Sequence, residues 1–277
     1  MRPSVEAIVE KMGQTMLTEE EAMVIEEELH RVADDPFAKH HIDHLSPSSM
    51  NCYIAQPSFW TLKYLFRDQF KDTVGPSAWR GHAVEAGVDM WLMTQPDKRN
   101  AADAFVAALI RYEVDAQGDL SEDVEKERQN IKPMVAQAVD ALFHKPVPDA
   151  RQVEIAYWID VQGFIDYVWP DECLDLKSTL RMPTELPGAH ARQVATYTKA
   201  KGRPCGLLYV TPKKYEFKHL VDVDTHIRYL AKQANAIRNL LWACDTREEV
   251  AKFFVPDFDH FYWNREDART AAAKIWR

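Results

Sequence analysis

The chain has 277 residues, of which 46% are hydrophobic and 28% charged, with a formal net charge of −9. That balance suits a globular protein with a sizeable core and excludes a generic nucleic-acid-coating protein, which would be basic overall. No run approaches the about 18 to 20 apolar residues of a membrane span, and the opening MRPSVEAIVEKMGQTM is broken by charges where a signal peptide would be apolar, so a cytoplasmic protein is expected.

Residues 1–145 read almost entirely as helix. TEEEAMVIEEELHRVADD opens on Thr18 as an N-cap followed by three glutamates, which suits the positive end of a helix dipole. The first 50 residues carry eleven acidic side chains against four basic ones. Residues 1–44 therefore read as an acidic helical extension, either solvated, docked on a basic partner or standing in for DNA at a channel mouth. LSPSSMNCYIAQPSFWTLKYLF predicts a helix from near Ser46, with Pro47 in its first turn and a restart at Pro57. PSAWRGHAVEAGVDMWLM, AADAFVAALIRYEVDA and EDVEKERQNIKPMVAQAVDALF each place apolar residues at helical spacing.

The pattern changes after Pro146 and Pro148. QVEIAYWI, GFIDYVW and ECLDLKST are short, rich in β-branched and aromatic residues, and separated by turn-prone DVQ and PD, which predicts three antiparallel strands. GAHARQVATYTKAKG then reads as a helix between Gly188 and Gly202, CGLLYVTP as a strand that could be central, and KYEFKHLVDV as a further strand. DTHIRYLAKQANAIRNLLWAC is a long amphipathic helix and TREEVAKFF a short one. The expected fold class is α/β, with a helical N-terminal part. Residues 45–277 form one domain in this reading: a helical part over 45–148, a sheet core over 149–221 and C-terminal helices over 222–277. Cys52, Cys173, Cys205 and Cys244 are scattered without a CxxC pair and read as reduced, buried residues.

Two acids stand out because they fall inside strands. If GFIDYVW and ECLDLKST form a hairpin, Asp166 and Asp175 face each other across it, and Lys177 shares Asp175's face because strand side chains repeat every two residues. Ionised carboxylates are rarely sunk into a sheet unless a cation or a hydrogen-bond network holds them. Their hard oxygens suit Mg²⁺ or Mn²⁺, and the lysine could orient or deprotonate a water or offset phosphate charge. An Asp/Glu-x-Lys triplet is weak evidence alone, and Glu216-Phe217-Lys218 repeats the spacing without an acid-bearing partner strand. Residues 175–220 also carry nine basic side chains against three acidic ones, a local balance able to engage phosphates. On the next helix Gln193 and Tyr197, four apart, project from one face.

In order, Gly163-x-x-Asp166, Asp175-x-Lys177 and Gln193-x-x-x-Tyr197 resemble the RecB-like branch of the PD-(D/E)xK nuclease superfamily, which includes lambda-exonuclease-like phage enzymes. Ser46, Ser48, Tyr53, Pro57 and Phe59 resemble that branch's opening helix, and RGHAVEAG its Gly-His helix. The resemblance implies a restriction-endonuclease-like core, a mixed central sheet flanked by helices. It also implies metal-dependent hydrolysis of DNA to 5′-phosphates, with an exonuclease favoured over a structure-specific or single-strand endonuclease or a catalytically idle DNA-binding subunit. Catalysis would fall to Asp166, Asp175, Lys177, Gln193 and Tyr197. Mg²⁺ or Mn²⁺ would be held by Asp166, Asp175, His82 and the main-chain carbonyl of Leu176, with Glu85 and Glu154 behind them. Arg181, Arg192, Lys199, Lys201 and Arg203 would contact DNA phosphates. Gln56 stands before Pro57 where some relatives place a cluster-binding cysteine, so no iron–sulfur cluster is expected. No Walker A loop is present, so no ATP site is expected. The implied partners are DNA ends, a recombination or annealing protein and further copies of the chain, with no membrane. The implied setting is DNA recombination, repair or degradation, in a host cytoplasm if the chain is phage-encoded.

Overall fold

The structure, a computed structural model, describes residues 35–157 and 161–277. The acidic helix expected to start at Thr18 lies outside the described residues. In the described chain, helices precede a sheet and follow it: α1 (Pro36–Lys39), α2 (Pro47–Ala55), α3 (Pro57–Leu65), α4 (Pro76–Met93), α5 (Ala101–Ala116) and α6 (Glu122–Ala141), then β1 (Ala150–Tyr157), β2 (Val161–Val168) and β3 (Cys173–Ser178), then α7 (Gly188–Lys201), β4 (Cys205–Val210) and β5 (Tyr215–His219), and finally α8 (Val223–Ala243), α9 (Arg247–Ala251) and α10 (Glu266–Ile275). No helix among the described residues is long and apolar enough to cross a membrane.

Local chemistry sets the boundaries. Ser46 and Ser49 exchange side-chain-to-amide hydrogen bonds at the start of α2, and Pro57, which has no N–H to give, ends that helix and occupies the first turn of α3. Gly202, at φ 63°, closes α7 in the left-handed region that a residue without Cβ enters freely.

The chain divides into two compact units, each discontinuous in sequence. One comprises residues 35–44, 52–70 and 233–277. Its centre is aromatic: Phe59 stacks on Tyr262 and meets Phe70 and Trp263 edge-on, while buried His40 places Nε2 3.0 Å from the carbonyls of Leu241 and Cys244. The other comprises residues 45–51 and 71–232 and contains the sheet.

The sheet runs β1-β2-β3-β4-β5; β1, β2 and β3 are successively antiparallel, β3 and β4 parallel, and β4 and β5 antiparallel. It is the mixed sheet expected, although β3 rather than β4 is the middle strand. α7 supplies the crossover that a parallel β3–β4 pair requires. Every residue of β4 is buried. On one face Tyr167, Leu174, Leu208 and Val210 pack against α4, α5 and α6. On the other, Ile155, Ile165, Cys173, Leu207 and Tyr209 pack against Val194 and Tyr197 of α7. Gly87 lets α4 and α5 approach, since a Cβ there would lie 2.9 Å from the Ala104 carbonyl oxygen. All four cysteines are free and buried.

Candidate active site where β2 and β3 part

β2 and β3 pair through Tyr167 with Leu174 and Val168 with Cys173. One residue further, the same register sets Asp166 opposite Asp175. There the ladder opens, and the Leu176 N–H donates to Asp166 Oδ2 at 2.7 Å instead of to a strand carbonyl. A carboxylate in the place of a ladder acceptor brings negative charge into the gap between two strands. Asp175 Oδ2 lies 2.7 Å from Lys177 Nζ, the side chains being 2% and 23% exposed. That contact is an ion pair without hydrogen-bond alignment, and Asp175 Oδ2 has no hydrogen-bond partner.

α4 closes the gap from one side with Glu85 and Asp89, one helical turn apart. Gln152 of β1 donates its amide nitrogen both to Glu85 Oε1 and, at 3.1 Å, to Asp166 Oδ1. Asp89 accepts from the Tyr167 hydroxyl at 2.9 Å and pairs with Arg151. On the other side Gln193 Nε2 donates to the Tyr197 hydroxyl at 2.8 Å. The glycine of the Gly163-x-x-Asp166 motif makes room for this pair, because a Cβ at Gly163 would sit 3.1 Å from Tyr197 Cε1 and 3.7 Å from Pro47 Cδ.

Burial, then the charges of Asp175 and Glu85, holds the Asp166 carboxyl well above the usual carboxylate range. Burial, then Asp89, also raises Glu85. Burial alone would lower Lys177, but the Asp175 carboxylate outweighs it and keeps the ammonium charged. Burial, then the Asp175 charge, raises the Tyr197 hydroxyl, so it stays protonated. The site is thus a set of crowded, desolvated acids offset by one lysine.

Asp166, Asp175, Lys177 and Glu85 are brought together. His82 lies three residues before Glu85 on α4, and its Nδ1 is 2.9 Å from Asp115 Oδ2, which also accepts from Arg111. Glu154 is exposed on β1 opposite Phe164. The five basic residues occupy different surroundings. Arg181 is exposed beyond the end of β3, and Lys201 is half-buried at the end of α7. Arg192 donates to Asn51 Oδ1 at 2.5 Å and stacks over Tyr229; Lys199 pairs with Asp224 at 2.6 Å; Arg203 donates to the Trp169 carbonyl at 2.6 Å, near the opposite end of β3 from Arg181. Among the described residues, no three His, Cys, Asp or Glu side chains form a ready-made metal cage. Sequence reasoning missed Gln152 and Asp89. The four-residue spacing from Glu85 could have indicated Asp89, whereas nothing in the sequence marks Gln152.

No family model matches the chain, and no curated protein matches it. Among solved structures it is similar to the crystal structure of a "Putative exonuclease" from Eubacterium rectale, at 13% identity and a TM-score of 0.49, over 91% of this chain and 94% of that one. It is also similar to the crystal structure of SSO0001, at 14% identity and a TM-score of 0.31, over 60% of this chain and 88% of that one.

Proposed function

We propose that the protein hydrolyses phosphodiester bonds of nucleic acid, as a metal-dependent DNA exonuclease of the PD-(D/E)xK kind that leaves 5′-phosphates. The observation that carries this reading is the meeting of Asp166, Asp175 and Lys177 in the gap between β2 and β3, with Glu85 above them. Acids crowded in this way, Asp175 buried and Asp166 and Glu85 half-buried, destabilise an empty fold, and a site for cations and phosphate gives them a use.

The donors fit a hard divalent ion. Asp175 Oδ2 is buried without a hydrogen bond, and Asp166 and Glu85 are crowded enough to hold protons more readily than free acids. Asp166, Asp175 and the main-chain carbonyl of Leu176 would hold Mg²⁺ or Mn²⁺. His82 would offer Nε2, since a carboxylate on Nδ1 is the usual way to orient a ligating imidazole. Such an ion supplies Lewis-acid stabilisation of charge on the phosphate and the leaving oxygen, and acidifies a bound water.

The chain's own groups divide the remaining work. Lys177, charged at rest, orients the attacking water and offsets the charge of a phosphoryl oxygen. As water adds to phosphorus, the bond to the 3′-oxygen breaks and the phosphate stays with the 5′ side. Gln193 and Tyr197 brace α7 against β2 beside Asp175. Arg181 and Lys201 would meet DNA phosphates directly, while Arg192, Lys199 and Arg203 would first exchange their present partners. Phosphate contacts carry no sequence information, which favours processing of DNA ends in recombination, repair or degradation.

The test is end-labelled linear and closed circular DNA with Mg²⁺ or Mn²⁺, alongside Lys177→Ala. Metal-dependent loss of linear DNA alone, abolished by the substitution, is expected. Cutting of circles would make the protein an endonuclease, and inertness towards both would overturn the reading.

A further inference from the structure

Gln152 has a backbone φ of 47° in the middle of β1. Among the described residues the other positive-φ positions lie outside the sheet. For a residue with a Cβ, the left-handed region costs about 1–2 kcal/mol, and neither glycine nor asparagine, the residues that tolerate it, stands here.

The strain has a visible consequence. Arg151 is opposite Tyr167 and Val153 opposite Ile165, so Gln152 stands opposite Asp166 with no residue gained or lost. Ile155 and Ile165 face α7. In a regular ladder Arg151 and Tyr167, of the same parity, would face α7 too. Instead Tyr167 packs with the α4 layer and reaches Asp89, as does Arg151, while Gln152 reaches Glu85. The alternation therefore slips at this pair, and two successive residues on β1 turn towards the same helix. The carboxamide orientation follows from chemistry, because a carboxylate accepts hydrogen bonds and only the amide nitrogen can donate to two of them.

We propose that Gln152 is a positioning residue of the candidate active site. Its left-handed backbone reverses the facing of the ladder at Asp166, and its amide ties Glu85 of α4 to Asp166 of β2 so that both acids face the gap holding Asp175 and Lys177. A neutral double donor suits this task. It holds two acids close without cancelling the charge the site needs, as a lysine or arginine would. The inference rests on the nuclease reading.

Gln152→Gly separates the two contributions, since glycine takes φ 47° freely and has no side chain. The expected result is a melting temperature at or above that of the wild type, with a kcat on linear DNA at least tenfold lower and little change in KM. Affinity for Mn²⁺, read from the free-ion electron paramagnetic resonance signal in the absence of DNA, should fall by about 10–100-fold, as when a ligand loses its supporting hydrogen bond. Gln152→Asn, tolerant of the backbone but one methylene too short to bridge, should behave like the glycine variant. If either folded variant cuts DNA and binds Mn²⁺ like an active wild type, the positioning role is wrong while the nuclease reading stands. A wild type that neither cuts DNA nor binds Mn²⁺ ends both.

Discussion

Asp175-Leu176-Lys177 on β3 and Glu216-Phe217-Lys218 on β5 share a spacing, and each closes an acid–lysine pair at 2.7 Å. Their surroundings differ. β3 is the middle strand, and its pair meets Asp166 and Glu85; β5 is an edge strand, and its pair meets the Tyr209 and Leu207 positions of β4. The electrostatics follow. Lys218 pulls Glu216, the exposed member of its pair, below the usual glutamate range. Burial and like charges push Asp166 the other way. An Asp/Glu-x-Lys triplet thus acquires chemistry from the strand beside it and the helix above it.

The largest expected contrast is in activity. Asp175→Asn should lower DNA cleavage by about 10²–10⁴-fold, the range for a group acting directly on the reaction. Glu216→Gln should leave it within a few-fold of wild type, and both should be measured as initial rates on end-labelled linear DNA. Comparable losses from the two variants would dissolve the distinction between the triplets.

Stability without metal gives the next contrast, with a defined direction in pH. The folded pKa of Glu85 is raised by burial, then by Asp89, so the native state holds its proton more tightly than the unfolded chain. Such a group contributes stability below its unfolded pKa, near the ordinary 4.5, and that stability is lost as pH rises through the folded value. Glu85→Gln cannot ionise, and its side-chain oxygen can still accept from Gln152. In chelator the variant should match wild type near pH 4 and melt a few degrees higher at pH 7–8, where about 1 kcal/mol is worth about 2–4 °C in a chain of this size. Nuclease activity should fall in the same variant. A lower melting temperature than wild type at pH 8 would mean that the acids are not crowded in the way described.

Much of this was legible in the sequence. The helix restart at Pro57, the strands with Asp166 and Asp175 on neighbouring positions, and the helix with Gln193 and Tyr197 followed from proline chemistry and side-chain periodicity, whereas the mixed order of the sheet came only with the family resemblance. Gln152 was not legible, because the period-2 rule that assigned β1 presumes φ below zero throughout, and this residue departs from it. The dispersal of the basic residues was hidden for a related reason. Their positive balance along residues 175–220 is a property of the chain, whereas Arg192, Lys199 and Arg203 find partners on three separate surroundings only once it is folded.

The smallest effect concerns what β3 has on its α7 side. Tyr197 is buried, receives a hydrogen bond from Gln193, and is near enough to Asp175 for that charge to raise its hydroxyl. Tyr197→Phe keeps the ring that Gly163 accommodates and removes the oxygen, leaving half-buried Gln193 to find water. One such bond contributes about 1 kcal/mol, so the melting temperature should drop by about 2–4 °C. Because the pair bonds to itself and makes no hydrogen bond to Lys177, cleavage should fall less than tenfold, with no change in its dependence on Mn²⁺ concentration. A loss as deep as that of Asp175→Asn would instead place the hydroxyl on the substrate or the attacking water, and the contrast between β3 and β5 would then extend to α7.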